Sequence, residues 1–391
     1  MPHAARQSFA VRLVAFGICV PALCASGAYA QSETPAARAS ESIDDVVTRS
    51  AALSFAPGAV VAIVWGDSVV FLKAFGTTGP AADEAPLRAD EVFHAGALTE
   101  LVNGIAAAQL ASTDEGLLTR PIGEAVPELP QELRAITLDQ LLSHTSGLAH
   151  EVTVPGRGGA DDLGAAARQL TRLDRMADPG SVYSSSLPAR ALVGLALERM
   201  GGRPYAQLLT ELVFEPLGMV ATTVAFDVAR AHITQGYRPS ASPDAPLEAI
   251  VAHADSALLV PVQGLYSTAS DLARMAAALM NDGIVEGVRA LAPGVAAGVL
   301  NGRAAVPGSD DRAGLGVRLS AWLDRPLVRV AGGLGGHAIL LSALPEEDIA
   351  VVVVTNKTDA LLSDVPDFIF RRLLDLRDPP RRTPTLAVDS T

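Results

Sequence analysis

The sequence predicts an α+β fold, in which an antiparallel sheet built from N- and C-terminal strands is flanked by helices and carries an inserted all-helical subdomain. Short apolar runs rich in β-branched residues lie near both ends, within 58–75 and 326–355, and helical spacing dominates between them. Of the 391 residues, 49% are hydrophobic and 19% are charged, which is enough to fill a sizeable core. The sheet is therefore expected to form from the two ends of the folded domain.

The first thirty residues have the layout of a secretory signal peptide. Arg6 and Arg12 precede an apolar run at 16–23, and the stretch ends in Ala28-Tyr29-Ala30. This layout predicts a periplasmic or secreted protein. The predicted organisation is a signal peptide at 1–30, a disordered leader at 31–41, a folded domain at 42–375 and a tail at 376–391.

Composition narrows the classes of partner and cofactor. Both cysteines, Cys19 and Cys24, lie in the predicted signal, so the mature chain has no thiol nucleophile and no disulfide. Removing Arg6 and Arg12 changes the formal charge from −13 to −15, which argues against nucleic acid as a partner. No metal-binding motif occurs, and no other stretch reaches the roughly 18 apolar residues of a membrane span. We therefore expect no metal, no cofactor and no membrane span.

The first predicted strands form a hairpin. The run at 58–65 is apolar and rich in valine, Gly66-Asp67 is typical of a turn, and a second run follows at 68–75. Three more strands are predicted near the other end, starting at Pro326, His337 and Asp348. The sheet is accordingly expected within about 42–96 and 300–375.

Helices are predicted between these strands, over about 97–299. Apolar residues at 98, 101, 102 and 105 follow helical spacing. Further helices are expected near 42–53, over 187–200 before Gly201-Gly202, after Pro204, and over 271–280 with Ser270 as the cap. The segment 150–163, with three glycines and a proline, is predicted as a loop at the rim of a cleft.

Four strings, in a fixed order, resemble a known family. They are LDQLLSHTSGL at 138–148, PGSVYSSS at 179–186, the segment 203–222 and the segment 262–283. Together they resemble the β-lactamase-related serine hydrolases, which include class C β-lactamases, DD-carboxypeptidases and certain esterases. The resemblance spans about 43–375. It implies an antiparallel sheet with a helical subdomain and a cleft between them.

The resemblance also implies three catalytic elements, and each is altered here. An SxxK sequence supplies the nucleophile and its base on one helix face, but FHAGALTE places Ala97 and Glu100 at these positions. The YxN element keeps Tyr183 and has Ser185 in place of asparagine. The third element, K/H-x-G on a strand, corresponds to Ala331 and Gly333.

No SxxK sequence occurs anywhere in the 391 residues. The only lysines are Lys73 and Lys357, and the residues three positions earlier are Val70 and Val354. Loss of the nucleophile alone lowers the kcat of a serine hydrolase by about a million-fold. In this alignment the backbone N–H groups of Ala97 and Leu334 are expected at the former oxyanion position.

The sequence therefore predicts a non-catalytic binding or regulatory pseudoenzyme, with a peptide or cell-wall fragment as the candidate ligand. Gly333 is expected to leave the strand open to an extended peptide backbone. A purely structural partner of an active relative is another interpretation, and the oligomeric state stays open.

The alternative is an active serine hydrolase, an esterase, amidase or β-lactamase-like enzyme, with relocated catalytic residues. Candidates for these are Ser184, Ser185 and Ser186, assisted by Tyr183, Glu100 or His337. Simpler interpretations favour serines that cap the helix ahead of Pro188 and a glutamate placed by the helix dipole. His144 and Ser146 are interpreted as parts of a structural turn below the cleft.

Overall fold

An eight-stranded antiparallel sheet forms the centre of the computed structural model, which describes residues 42–81, 83–149, 163, 175–242, 245–360 and 362–376. The predicted signal, leader and nearly all of the tail lie outside these residues, as does most of the 150–163 loop. The strands are β1 Gly58–Trp65, β2 Ser68–Gly76, β3 Phe93–Gly96, β4 Gly236–Arg238, β5 Glu248–Ile250, β6 Leu265–Ser267, β7 Ile284–Val285, β8 Val288–Arg289, β9 Ala304–Ala305, β10 Arg312–Ala313, β11 Arg318–Trp322, β12 Arg325–Gly332, β13 Ala338–Leu344 and β14 Ile349–Thr355.

The two ends of the domain meet inside this sheet. Its strand order is β2-β1-β14-β13-β12-β11-β10-β9, and β1 pairs with β14 from Ala59↔Thr355 to Trp65↔Ile349. A hairpin from one end and a meander from the other thus form one surface, which confirms the predicted fold class.

Helices lie on both faces of the sheet. They are α1 Ile43–Leu53, α2 Leu98–Ala111, α3 Leu138–Leu142, α4 Leu187–Gly201, α5 Tyr205–Leu209, α6 Glu215–Leu217, α7 Phe226–Ala229, α8 Val260–Gln263, α9 Ala269–Met280, α10 Val295–Val299 and α11 Asp364–Leu373, with single 3₁₀ turns at Leu117–Thr119, Ile122–Glu124, Gln131–Leu133 and Pro345–Glu347 and a π turn at Thr210–Phe214. No helix in the described part of the chain combines the length and the apolar character that crossing a bilayer requires.

The insertion is not wholly helical, contrary to the prediction. Strands β4 to β8 lie within it, and β6 pairs with β3 immediately before α2. Helix α9 also begins earlier than predicted, at Ala269, because the side chain of Thr268 and not that of Ser270 accepts the backbone N–H of Asp271. These strands are two or three residues long, too short for alternation of apolar residues to identify them.

The central strands are buried on both faces, which accounts for their continuous apolar sequences. In β1, Val60, Ala62 and Val64 contribute to the larger core beneath the helical insertion. The intervening Val61 and Ile63 contribute to a second core beneath α1 and α11. The side-chain period of two thus divides one strand between two cores.

Two glycines allow the first turn of α2 to lie against the edge of the sheet. A Cβ at Gly332 would be 2.4 Å from the carbonyl oxygen of Ala95. A Cβ at Gly316, whose φ is 65°, would be 1.9 Å from the carbonyl oxygen of Glu100. This close approach brings the start of α2 beside β10 to β12.

Candidate functional site

A cavity of about 460 Å³ opens where α2 begins, between the turn after α3, the segment before α4 and strands β10 to β12. Four of the predicted positions line it: Ala97, Glu100, Tyr183 and Ala331. The other lining residues are His144, Val306, Asp311, Ala313, Gly316, Val317, Arg318, Ser320, Arg329 and Val330. The structure thus brings parts of all three predicted elements into one cleft.

Ala97 occupies the N-cap of α2, directly after β3. Its methyl group makes no capping hydrogen bond, and Gly96 before it has a positive φ of 56°. The entry to the helix is stabilised instead by Thr99, whose hydroxyl donates to the Gly96 carbonyl at 2.6 Å and accepts from the Leu265 N–H at 3.1 Å. The helix start is therefore built without any hydroxyl at position 97.

Glu100 lies one turn into α2, at the centre of a polar cluster. Its Oε1 accepts from Arg190 Nη1 at 3.0 Å, and its Oε2 lies 3.3 Å from His144 Nε2. Arg190 Nη2 also donates to Ser185 Oγ at 3.3 Å, and the His144 ring contacts the Tyr183 ring edge-on at 5.5 Å. We call Glu100, His144, Tyr183, Ser185 and Arg190 the floor cluster.

Burial sets the protonation of the floor cluster. The Glu100 side chain is 16% exposed, and burial raises its pKa to about 7 although the charge of Arg190 acts in the opposite direction. Burial, followed by the charge of Arg190, lowers the pKa of His144 to about 4. Burial also raises the pKa of the Tyr183 phenol. Arg190 is thus the permanent charge of the cluster.

This arrangement does not provide an amine base next to a hydroxyl nucleophile. Glu100 is held between a guanidinium and an imidazole, and the Ser185 hydroxyl accepts from Arg190. A guanidinium stays protonated in proteins, so it cannot take a proton from that serine. The described cluster offers groups that can orient a ligand, and Arg190 does not supply a base to Ser185.

The neighbouring serines are fixed by backbone hydrogen bonds. Ser186 caps α4 by accepting from the Ala189 N–H at 3.3 Å, and it donates to the Ala149 carbonyl at 2.8 Å. Ser184 donates to the Leu148 carbonyl at 3.2 Å. Neither lines the cavity, so these side chains act as caps and ties, as the simpler interpretation of the sequence predicts.

Ser186→Ala is therefore expected to lower the free energy of unfolding by about 1 kcal/mol, the usual contribution of an N-cap hydroxyl. Urea unfolding followed by circular dichroism measures this difference. Unchanged stability together with the loss of an ester-hydrolysing activity would instead favour a catalytic role for this hydroxyl.

His337 does not face the cleft, contrary to its proposed role as a relocated catalytic group. It is 3% exposed, its Nε2 lies 3.1 Å from the Thr234 carbonyl oxygen, and its Nδ1 accepts from the His94 N–H at 3.3 Å. Burial, followed by the charge of nearby His94, lowers its pKa to about 4. This histidine is a neutral, hydrogen-bonded core residue ahead of β13.

Two expectations for the end of β12 are also wrong. Gly333 lies beyond the strand, and a Cβ there would be 2.3 Å from the His337 carbonyl oxygen, so it does not open toward the cleft. The Leu334 N–H donates to the His94 carbonyl at 3.3 Å, so it is not directed at an oxyanion position. Ala331 lines the cleft instead, beyond Val328, the last residue of β12 that pairs with β11.

Comparison with known proteins identifies the family. The sequence model of the beta-lactamase family matches residues 43–376, nearly the whole described domain. This chain belongs to the beta-lactamase family. The resemblance predicted from the four strings is thereby confirmed.

Three relatives show how far the similarity extends. Penicillin-binding protein 4 of Amycolatopsis lactamdurans is 25% identical over 68% of this chain and 72% of its own length. The D-alanyl-D-alanine-carboxypeptidase/endopeptidase AmpH of Escherichia coli K12 is 28% identical over 81% of this chain and 85% of its own. The structure of an octameric penicillin-binding protein homologue from Pyrococcus abyssi superposes with a TM-score of 0.71 at 19% identity, covering 86% and 77% of the two chains. The last comparison shows the shared fold.

Sequence reasoning missed two members of the floor cluster of this beta-lactamase family protein. His144 lies within the string SHTSGL, which the sequence alone indicates to be a structural turn. Its backbone has a positive φ of 58°, and its side chain contacts Glu100. Arg190 belongs to none of the three predicted elements. A glutamate at the lysine position of a buried helix start requires a cation, and Arg190 and Arg199 are the only cationic residues of α4.

Among the described residues, no group of three or more histidine, cysteine, aspartate or glutamate side chains is arranged to hold a metal ion. Some charged groups at the cleft form ion pairs, such as that between Arg318 and Asp311, whereas Arg329 donates to the Ser342 hydroxyl. The polar side chains of the cleft thus offer hydrogen bonds and charge to a ligand.

Proposed function

We propose that this member of the beta-lactamase family is a non-catalytic binding or regulatory protein that acts outside the cytoplasm. It keeps the family's cleft as a binding site for a peptide or cell-wall fragment. The location rests on the signal-like sequence at 1–30.

The observation that carries the proposal is the floor cluster itself. Where acyl transfer needs a hydroxyl and an amine, the chain has the methyl group of Ala97 and a carboxylate held by Arg190 at 3.0 Å and by His144 at 3.3 Å. Here Glu100 of α2 is held by His144, in the turn after α3, and by Arg190 of α4. This arrangement supports selection for a stable cleft without acyl-transfer chemistry.

A peptide is the favoured ligand because, within the described residues, no strand pairs with the outer edge of β12 beyond Val328. The outer side of Ala331 faces the cavity, so an extended backbone can pair with it as an added strand. Apolar side chains at Val306, Val317 and Val330 line the same cavity. The named activity of AmpH makes a peptide ending in D-alanyl-D-alanine the natural probe.

Binding of an N-acylated peptide ending in D-alanyl-D-alanine, measured by isothermal titration calorimetry, tests the proposal. We expect saturable binding by the mature chain and recovery of the intact peptide. Ala331→Trp places an indole in the cavity and is expected to abolish binding. Ala249→Trp, at an exposed strand position of β5 outside the cavity, is the matched control and is expected to leave binding unchanged.

Release of D-alanine during the titration would contradict the proposal and favour a relocated hydrolase. Equal affinity in the wild type and Ala331→Trp would place the ligand elsewhere and leave the cleft without the proposed role.

A further inference from the structure

The central sheet ends in one long edge. Strand β2 is the outermost strand on that side, and within the described residues its outer edge is paired only at its last residue, where the Gly76 carbonyl accepts from the Leu87 N–H at 3.1 Å. Its nine residues extend for about 30 Å at about 3.4 Å per residue. The opposite edge strand, β9, has only two residues. A long unpaired edge presents a row of backbone N–H and C=O groups that can pair with another chain.

Exposed apolar side chains accompany this edge. Val70 and Leu72 of β2 are 60% and 40% exposed, and Trp65 at the end of β1 is 47% exposed. Leu53, the last residue of α1, and Phe55, two residues later and ahead of β1, are 73% and 77% exposed. Apolar surface along the full length of an edge is typical of a protein interface and not of a solvated strand.

The charge that normally protects an edge strand is neutralised. Lys73 is the only charged residue in β2, and its Nζ pairs with Asp44 of α1 and lies 5.2 Å from the centre of the Phe75 ring. The bulge in β2 makes Val70 the extra residue, since Phe71 pairs with Ile63 and Val69 with Val64. The strand beyond it, from Phe71 to Gly76, is in regular register.

We propose that the β2 edge of one copy pairs antiparallel with the β2 edge of a second copy, which joins two sheets into a homodimer. A two-fold axis at Leu72 places the two Leu72 side chains opposite each other and Lys73 opposite Phe71 of the partner. No like charges then lie directly opposite, so the edge is complementary to itself.

A second copy fits this edge better than the two segments that flank the described domain. The segment 31–41, QSETPAARASE, has no large apolar side chain to cover Val70 and Leu72. The segment 377–391 contains three prolines and three arginines, and proline is poorly suited to strand pairing. Antiparallel pairing of the two strands about Leu72, with each Gly76 carbonyl kept by Leu87 of its own chain, supplies about six backbone hydrogen bonds.

The dimer leaves both clefts open. Strands β1, β14 and β13 separate β2 from β12, a distance of about 19 Å at about 4.8 Å per strand. The proposal is therefore independent of what the cleft binds.

Sedimentation velocity of the mature chain over a range of micromolar concentrations tests this inference. The wild type is expected to be a dimer. Leu72→Lys places two lysines opposite each other and is expected to weaken the dimer by at least about a hundred-fold. Val251→Lys, at an apolar residue that is 82% exposed and distant in sequence, is the matched control and should stay dimeric.

Val70→Lys provides a second edge variant in case Leu72→Lys does not fold, and it is expected to be monomeric with a wild-type circular dichroism spectrum. A wild type that sediments as a monomer throughout this range would overturn the proposal. So would a folded edge variant that dimerises as well as the wild type.

Discussion

Arg190→Met is expected to lower the free energy of unfolding by about 1–2 kcal/mol at pH 8, because the buried Glu100 carboxyl, left without its guanidinium partner, must take up a proton above its pKa of about 7. The Arg190 and Glu100 side chains are only 18% and 16% exposed, so water cannot replace the lost contact fully. Below pH 7 the loss should shrink, since Glu100 then takes up a proton and no longer needs a counterion. Urea unfolding at both pH values measures the effect.

Helix α4 supplies the control for this prediction. Arg199 pairs with Glu128 at 3.1 Å, but its side chain is 41% exposed, so Arg199→Met should change stability by less than about 1 kcal/mol. The double variant Arg190→Met/Glu100→Gln should recover much of the loss, because neither partner then carries a buried charge. Equal losses for the two arginine variants would contradict the role assigned to the floor cluster.

Glu100→Gln and His144→Asn are expected to make stability depend on pH in opposite directions. The pKa of Glu100 rises from 4.5 to about 7 on folding, and that of His144 falls from 6.5 to about 4. In the wild type the pair therefore holds one proton over most of pH 4.5–6.5 in both the folded and the unfolded state. The two groups together then contribute almost no pH dependence.

Removing one of the two groups leaves the titration of the other uncompensated. In Glu100→Gln only His144 titrates, the unfolded state binds more protons between pH 4 and 6.5, and stability rises with pH by about 3 kcal/mol relative to the wild type. In His144→Asn only Glu100 titrates, the folded state binds more protons between pH 4.5 and 7, and stability falls by about 3 kcal/mol as pH rises. Urea unfolding across this range measures both slopes, and parallel profiles for the three proteins would contradict the assignment.

Most of the sheet follows from the sequence because its strands are buried on both faces. The valine-rich runs that became β1 and β14 have few polar residues and end at turn residues, so neither helix nor loop competes with them. The short strands inside the insertion could not be predicted from the sequence. The pairing of β6 with β3 depends on residues about 170 positions apart, and no local pattern encodes such a contact.

Site residues can be predicted from the sequence where a motif places them at a known position of a helix or strand. Ala97 and Glu100 follow β3 at the start of α2, and Tyr183 lies ahead of the capped α4, so all three line the cavity. The end of β12 was placed less well. The run of glycines does not show where the strand ends. The sequence therefore predicts that Gly333 opens to the cleft, whereas β12 ends at Gly332.

The floor cluster was incompletely predicted because its members come from three separate segments. His144 has left-handed backbone geometry that the string SHTSGL does not reveal, and its contact with Glu100 forms only after folding. Arg190 could have been inferred from charge alone, since a buried carboxylate needs a partner. Identifying Arg190 rather than Arg199 as this partner requires knowing which side of α4 faces the cleft.

Intact-mass spectrometry after exposure to a fluorophosphonate, and separately to a penicillin, tests the loss of acyl-transfer chemistry most directly. An active serine hydrolase treated in parallel supplies the positive control. The mature chain is expected to keep its unmodified mass with both reagents, because Ala97 offers no hydroxyl and Glu100 no amine. A stoichiometric adduct on a serine of the cleft would contradict the account.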